Sequence, residues 1–220
     1  VTAILQQALD HNPALDLRPD TPELDQETQS VATYLVAIAQ RDQAENLARY
    51  GDSEKAISFY QKALELVPSL DLNPETEAID TEPVQVARKF SAPQLIVAAQ
   101  QQVQKGEVEA AIEAYSTAQA DDPDLEITPQ DWDILCWFGT VKQQVEAVLF
   151  ACENEVSLNP GAQSSLDSQG IIRAAKGDIK GAISDFQTYR DYIKSGFSER
   201  ASKAQEWIDA LHAGENPFKP

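Results

Sequence analysis

The sequence predicts an all-α fold: an α-solenoid of helix hairpins with short inserted helices and a C-terminal capping helix. Two observations predict it. Proline-flanked and glycine landmarks recur at a fixed interval along the chain, and between them small and aromatic residues recur at helical spacings. Self-similarity at a fixed period is typical of proteins in which one supersecondary unit stacks on the next.

The longest period is 55 residues. Three segments that begin and end with proline, 13–19, 68–74 and 123–129, follow one another at this interval, and Gly51 and Gly106 are separated by the same distance. Matching landmarks at a constant offset indicate a duplicated structural unit.

Each unit contains a turn followed by an amphipathic helix. Gly51 precedes Ala56, Tyr60 and Ala63, which share one helical face, and Pro68 then ends the helix. The same spacings recur in Gly106, Ala111, Tyr115, Ala118 and Pro123, and begin again in Gly177, Ala182, Phe186 and Tyr189. A second amphipathic helix precedes each glycine, which predicts helix–turn–helix hairpins with a left-handed cap at the glycine.

The segment between Trp132 and Pro160 is a degenerate copy. Gln143 occupies the glycine site, Val148 the first alanine site and Cys152 the aromatic site. The 55-residue units also carry about 18 residues more than this copy. We expect these extra residues to form a small inserted helix, which in the second unit would start at Asn73 and Pro74, or to lengthen the first helix of the unit.

These spacings resemble the tetratricopeptide repeat (TPR), a helix–turn–helix unit of about 34 residues that stacks into a right-handed solenoid. The resemblance implies one solenoid over residues 1–220. Its parts are a half repeat at 1–13, repeats at about 28–73, 84–128, 129–161 (degenerate) and 163–195, and a capping helix at about 198–213.

A narrower resemblance covers residues 50–218. Four phrases are similar to C-terminal TPR regions of large cyanobacterial multidomain proteins, in which such regions follow caspase-like, nucleotide-binding signalling or WD40 domains. They are 133–139, 151–153 with 158–160, 170–186 and 207–218. The resemblance implies an interaction or scaffolding region. The chain contains no Met, even at position 1, and we expect it to be a segment of a longer polypeptide.

The net charge of −19 limits the partners. Residues 92–160 hold 12 acidic and only 2 basic side chains. Nucleic acid and anionic membrane repel such a surface, because both are bound through Lys and Arg. We therefore expect a protein or peptide partner with basic or apolar side chains. No apolar run approaches the length of a membrane span.

The two cysteines, Cys136 and Cys152, favour buried thiols that pack as small hydrophobes, although a disulfide is the alternative. Reduced thiols indicate a reducing, cytoplasmic compartment.

Enzymatic chemistry is disfavoured, and no cofactor or metal is expected. His11 and His212 lie near opposite ends of the chain, and no glycine-rich phosphate loop occurs. The acidic run 121–126 lacks the glycine and spacing of a calcium loop, which favours a solvated loop over a weak calcium site.

The TPR resemblance implies that the first helix of each hairpin lines a concave groove. The groove positions are Arg41, Glu45 and Arg49; Ile96, Gln100 and Gln104; Asp133, Trp137 and Thr140; and Asp167, Ile171 and Ala174. Trp137 is interpreted either as core, with Trp132 and Phe138, or as an exposed anchor in the groove. The predicted function is a scaffold that binds a partner segment in this groove. The alternative is a structural spacer or self-association region without its own ligand, and an enzyme or enzyme regulator ranks third.

Overall fold

The chain folds into helices joined by short turns in a computed structural model, which describes residues 1–18, 25–193 and 198–219. Across these residues there are ten α-helices and no β-strand, so the all-α prediction is confirmed. The helices are α1 (Thr2–His11), α2 (Thr28–Arg49), α3 (Ser53–Leu66), α4 (Pro83–Lys105), α5 (Val108–Asp121), α6 (Pro129–Val141), α7 (Val145–Leu158), α8 (Leu166–Ala175), α9 (Ile179–Ile193) and α10 (Ser198–His212), with a 3-10 helix at Gln163–Ser165 before α8.

The chain divides into two compact units, residues 1–94 and 95–220. The boundary lies within α4, next to Pro93. Proline has no amide hydrogen, so α4 lacks one of its internal hydrogen bonds at this point. The predicted repeat boundaries stay a prediction.

The predicted turns have one geometry. Gly51, Gly106 and Gly177 adopt φ of 87°, 96° and 87°, and Gln143 adopts 64°. At Gly51 the amide donates to Ala48 O at 2.8 Å, and the next amide, of Asp52, donates to Leu47 O at 2.9 Å. The same pair of bonds recurs after α4, α6 and α8. This is the Schellman arrangement, in which a left-handed residue ends the helix, so Gln143 does occupy the glycine site of the degenerate copy.

The first unit is built on the α2–α3 hairpin, which packs through small residues. Ala56, Tyr60 and Ala63 of α3 are fully buried together with Ala44 and Ala48 of α2. Alanines allow the two helices to approach closely, and the Tyr60 ring fills the space beside them. The predicted shared face of α3 is therefore the core face.

The extra residues of the 55-residue units lengthen the first helices and form a loop. Helices α2 and α4 have 22 and 23 residues, against 13 in α6. The inserted helix expected at Asn73 and Pro74 is wrong, since the described residues 67–82 are turns and bends. The reason is Asp71, whose Oδ1 accepts the amides of Asn73 and Asp80, both at 3.0 Å, and holds the segment in a turn.

The same loop closure occurs 55 residues earlier. Asp16 Oδ1 accepts the amides of Arg18 at 2.9 Å and Asp25 at 3.1 Å. Pro19, which ends the first proline-flanked segment, lies outside the described residues. In the third copy Thr128 instead forms a capping box with Asp131, so α6 begins at once.

The second unit contains a disulfide that corrects the cysteine prediction. Cys136 of α6 and Cys152 of α7 are bonded, and both are fully buried. They lie on the facing sides of one hairpin, so the interpretation as separate reduced thiols is wrong. Gly139 is in the interior of α6, where an added Cβ would collide with Val148. This hairpin therefore packs through a glycine and a covalent bond where the α2–α3 hairpin uses alanines.

Helix α10 closes the unit as a cap, as predicted. Trp207 is 5% exposed and lies 5.1 Å from Trp137, 5.4 Å from Phe186 and 5.2 Å from Phe218 between ring centroids. Asn216 Nδ2 donates to Ala174 O at 2.9 Å, which ties the C-terminal segment to α8.

Within the described ranges, no helix combines the length and apolar character needed to cross a membrane.

Candidate functional site

Five helices of the second unit direct polar side chains into one buried cluster. Asp133 comes from α6, Glu155 from α7, Asp167 from α8, Tyr189 from α9 and Arg200 from α10. The three carboxyl residues and Tyr189 are between 1% and 7% exposed. Charged groups are rarely buried to this extent unless they are paired, so the partners of each group decide the chemistry of the site.

Arg200 is the central cation. Its Nη1 and Nη2 donate to the two carboxylate oxygens of Asp133, each at 2.8 Å, and Nη1 also lies 3.4 Å from Asp167 Oδ2 and 3.1 Å from the Tyr189 hydroxyl. The guanidinium carbon stands 4.4 Å from the centroid of the Trp137 ring. This combination of bidentate pairing and stacking is specific to a planar guanidinium.

Glu155 lies in the cluster without an ion pair to Arg200. It accepts a hydrogen bond from the Ser168 hydroxyl, and no ion pair of the described residues includes it. The pKa of Glu155 is raised to about 7: burial, and then the negative charge of Asp133, raise it, while the Ser168 hydrogen bond and the charge of Arg200 oppose the rise.

Asp167 is also surrounded by more negative charge than the single guanidinium of Arg200 can balance. Burial first, and then the charges of Asp133 and Glu155, raise the pKa of Asp167 well above its usual range. Its Oδ1 is buried and has no hydrogen-bond partner in the described part of the chain. Three carboxyl groups thus face one guanidinium, so the cluster is neutral only if protons or a further cation compensate the excess.

A pocket of about 490 Å³ lies beside this cluster. Asp133, Glu155 and Arg200 line its polar side, and the aromatic rings of Tyr189 and Tyr192 lie at its wall. The remaining lining residues are Thr128, Pro129, Gln130, Asn159, Ser164 and Ile193. A concave site with a few convergent polar groups and apolar walls is the usual form of a ligand pocket.

The cluster has the oxygen donors of a cation site. One ligand atom each from Asp133, Glu155 and Asp167 lies within 4.8 Å of the others. Hard divalent cations prefer such carboxylate oxygens. However, the Arg200 guanidinium already binds Asp133 and Asp167, which places a positive charge where a metal ion would have to enter. The arrangement therefore suits an organic cation beside Glu155 better than a metal.

The predicted groove positions of the first unit lie on one face of α2. Glu45 Oε1 accepts from Arg49 at 2.8 Å, and Arg49 also pairs with Glu75 at 3.0 Å. Arg41 pairs with its neighbour Asp42 at 2.8 Å. Arg49 is exposed, and Arg41 and Glu45 are half-buried. Their contact with a partner stays a prediction.

The predicted positions of α4 differ in exposure. Gln104 is exposed, and Gln100 is half-buried, with Nε2 donating to Asp131 at 2.7 Å. Ile96 is only 6% exposed and belongs to the core.

The predicted positions of α6 and α8 are covered. The structure brings Asp133, Trp137 and Asp167 together around Arg200, while Thr140 and Ile171 are also buried. Trp137 is 5% exposed, which supports its interpretation as core and not as an exposed anchor. With α10 docked, these side chains are largely covered, although Asp133 still lines the pocket beside the cluster. Any binding role for them stays a prediction.

Sequence reasoning missed Glu155, Tyr189 and Arg200 as site residues. A signal existed for two of them, because Glu155 continues the buried face of Val148 and Cys152, and Arg200 lies four residues before the buried Ala204. A charged residue that continues an apolar helical stripe at its end indicates a buried partner.

The fold and the site together define a class: an all-α protein of tandem helix hairpins with a buried acidic cluster beside a pocket. No protein-family model matches the chain, and no curated protein matches it. Among solved structures the chain is similar to YrrB, a TPR protein with an unusual peptide-binding site, at 15% sequence identity and a TM-score of 0.34 over 99% of this chain and 97% of that chain. A TM-score of this size carries no inference about fold or function.

Proposed function

We propose that this chain is a protein-interaction module of the tetratricopeptide type that binds a partner segment carrying basic and apolar side chains. The observation that carries the proposal is the pocket of the second unit, whose lining joins the carboxyl groups of Asp133 and Glu155 to the rings of Tyr189 and Tyr192. Acidic and aromatic groups side by side complement a basic side chain on an apolar stem.

The repeat pattern supports the TPR assignment within this proposal. The residue spacings match that family, and the helices end at the predicted turns with the Schellman geometry. The residue phrases similar to cyanobacterial multidomain proteins support a place in a larger signalling polypeptide. The proposed role is binding and not catalysis.

The net charge of −19 supports a basic partner over an acidic one, because like charges would oppose the encounter. A cytoplasmic location is no longer supported by the cysteines, since oxidising compartments favour the bridged form. The proposal does not depend on the compartment.

A peptide selection tests this function. Random twelve-residue peptides displayed on phage would be selected against the full chain, and the enriched sequences synthesised and titrated by calorimetry. We expect saturable binding of peptides that carry Arg or Lys beside apolar residues. If no enriched peptide binds, and sedimentation shows only concentration-dependent self-association, the proposal is wrong and the spacer or self-association alternative stands.

A matched pair of tyrosine variants tests the place of binding. Tyr192 lines the pocket and is 53% exposed, whereas Tyr50 is 86% exposed at the end of α2 in the other unit. We expect Tyr192→Ala to weaken a selected peptide by about 1–3 kcal/mol, as for an aromatic anchor, and Tyr50→Ala to leave the affinity unchanged. Equal effects of the two variants would place the peptide elsewhere.

A further inference from the structure

Resting on the proposed function, we infer that the pocket of the second unit recognises the guanidinium group of an arginine side chain from the partner, which pairs with Glu155 beside the resident Arg200. Three independent observations carry this inference: the charge balance of the cluster, the unpartnered oxygen of Asp167, and the shape and lining of the pocket.

The charge balance of the cluster favours a further cation wherever Glu155 is ionised. Asp133 and Asp167 share the Arg200 guanidinium, while the ion pairs of the described residues leave Glu155 out. A second guanidinium would bring the cluster to three carboxylates and two cations. A buried carboxylate gains most from a partner that both neutralises it and donates hydrogen bonds to it.

Asp167 gives the second observation. The residue is 1% exposed, and its Oδ1 accepts no hydrogen bond from any described residue. Buried carboxylate oxygens are normally paired, and an orphan of this kind marks a position that a donor or cation stabilises. It lies in the same cluster as Glu155, because one oxygen of each lies within 4.8 Å of the other.

The pocket itself selects the class of cation. Its volume of about 490 Å³ is far larger than a metal ion needs, and it accommodates a long side chain. Pro129, Tyr189, Tyr192 and Ile193 supply apolar and aromatic surface for the stem and for the face of a planar cation.

The contacts of the chain's own Arg200 show which interactions this site makes with a guanidinium group. Arg200 makes paired hydrogen bonds to Asp133 and stacks over Trp137 at 4.4 Å. An ammonium group is a point charge and cannot make the same planar contacts. The pocket should therefore prefer arginine to lysine.

The test uses amino-acid derivatives as probes. N-acetyl-arginine amide would be titrated at pH 8 into the isotope-labelled full chain and followed by NMR, with the citrulline derivative as a neutral, nearly isosteric control and the lysine derivative as the cationic control. We expect the arginine derivative to bind at least about tenfold more tightly than the citrulline derivative. The shifts should include the side chains around Glu155.

Two glutamine variants complete the test. Glu155→Gln removes the charge and keeps the shape, and we expect about a tenfold or greater loss of arginine binding. Glu113→Gln, at an exposed site on α5, is the matched control and should bind as the parent does. Far-UV circular dichroism of each variant reports whether the helices are intact.

The inference is overturned if the arginine derivative causes no saturable shifts at tens of millimolar, if citrulline or lysine binds equally well, or if Glu155→Gln binds unchanged. The experiments distinguish failure of the arginine inference from failure of the proposed function. If selected peptides bind the parent and Glu155→Gln equally, only the arginine site is contradicted. Arginine binding that depends on Glu155, without any peptide ligand, would sink the interaction module.

Discussion

Replacing Glu155 with glutamine isolates the free energy of burying one carboxylate in the second unit. The side chain is 3% exposed, and burial raises its pKa from the ordinary value of 4.5 to about 7. Each pKa unit corresponds to about 1.4 kcal/mol, so the folded chain holds the ionised form at a disadvantage of about 3 kcal/mol.

The sign follows from proton binding. An acid whose folded pKa is raised binds more protons in the folded state, so its contribution to stability is complete below pH 4.5 and is lost as the pH rises through about 7. Glutamine is neutral throughout. We therefore expect Glu155→Gln to be more stable than the parent by about 1 kcal/mol at pH 5 and about 3 kcal/mol at pH 8.

Urea unfolding followed by far-UV circular dichroism at pH 5 and pH 8 measures this difference. All other titrating groups are shared by the two proteins, so most of their contributions cancel in the comparison. Glu113→Gln, exposed on α5, should change stability by less than about 0.5 kcal/mol at either pH. A destabilised Glu155→Gln at pH 8, or a difference independent of pH, would refute the reasoning.

Three other perturbations test the packing. Gln143→Gly should raise the free energy of unfolding by about 1 kcal/mol, because Gln143 holds a φ of 64° that glycine adopts without strain; an unchanged urea midpoint would contradict this. Reducing the Cys136–Cys152 bond, whose partners are 16 residues apart, should lower stability by about 3 kcal/mol, measured with and without reductant. A Cys136→Ala, Cys152→Ala double variant serves as the control that reductant must not affect. Gly170→Ala should lower the midpoint of thermal unfolding, because the new Cβ would lie 2.6 Å from Phe186 Cε1 and overpacking of this kind costs about 1–3 kcal/mol. A raised midpoint would contradict this, because it would mean that α8 and α9 move apart without loss of stability.

Features set by neighbouring residues were predictable from the sequence. The turns at Gly51 and Gly106, and even the left-handed Gln143, follow from spacing to the helices on either side. The buried face around Tyr60 follows from helical periodicity, because residues three and four apart share a face wherever the helix is placed.

Predictions that depend on geometry beyond the hairpin were less successful. The loop at 67–82 is stabilised by Asp71, whose carboxylate accepts two backbone amides of the loop. The positions of the residues in the sequence fit this turn and a helix cap at Asn73 equally well. Two cysteines 16 residues apart fit separate thiols as well as a bond, until the facing sides of α6 and α7 are known.

The sequence by itself determined that this chain forms helix hairpins, which end at left-handed residues and bury small and aromatic side chains, because these properties are local and periodic. Only the tertiary structure decided which groups meet. Arg200 and Asp133 are 67 residues apart, and the docking of α10 turns a predicted open groove at Trp137 into a buried ion cluster. Periodicity tells which face of a helix is covered, but the partner that covers it depends on packing between distant segments.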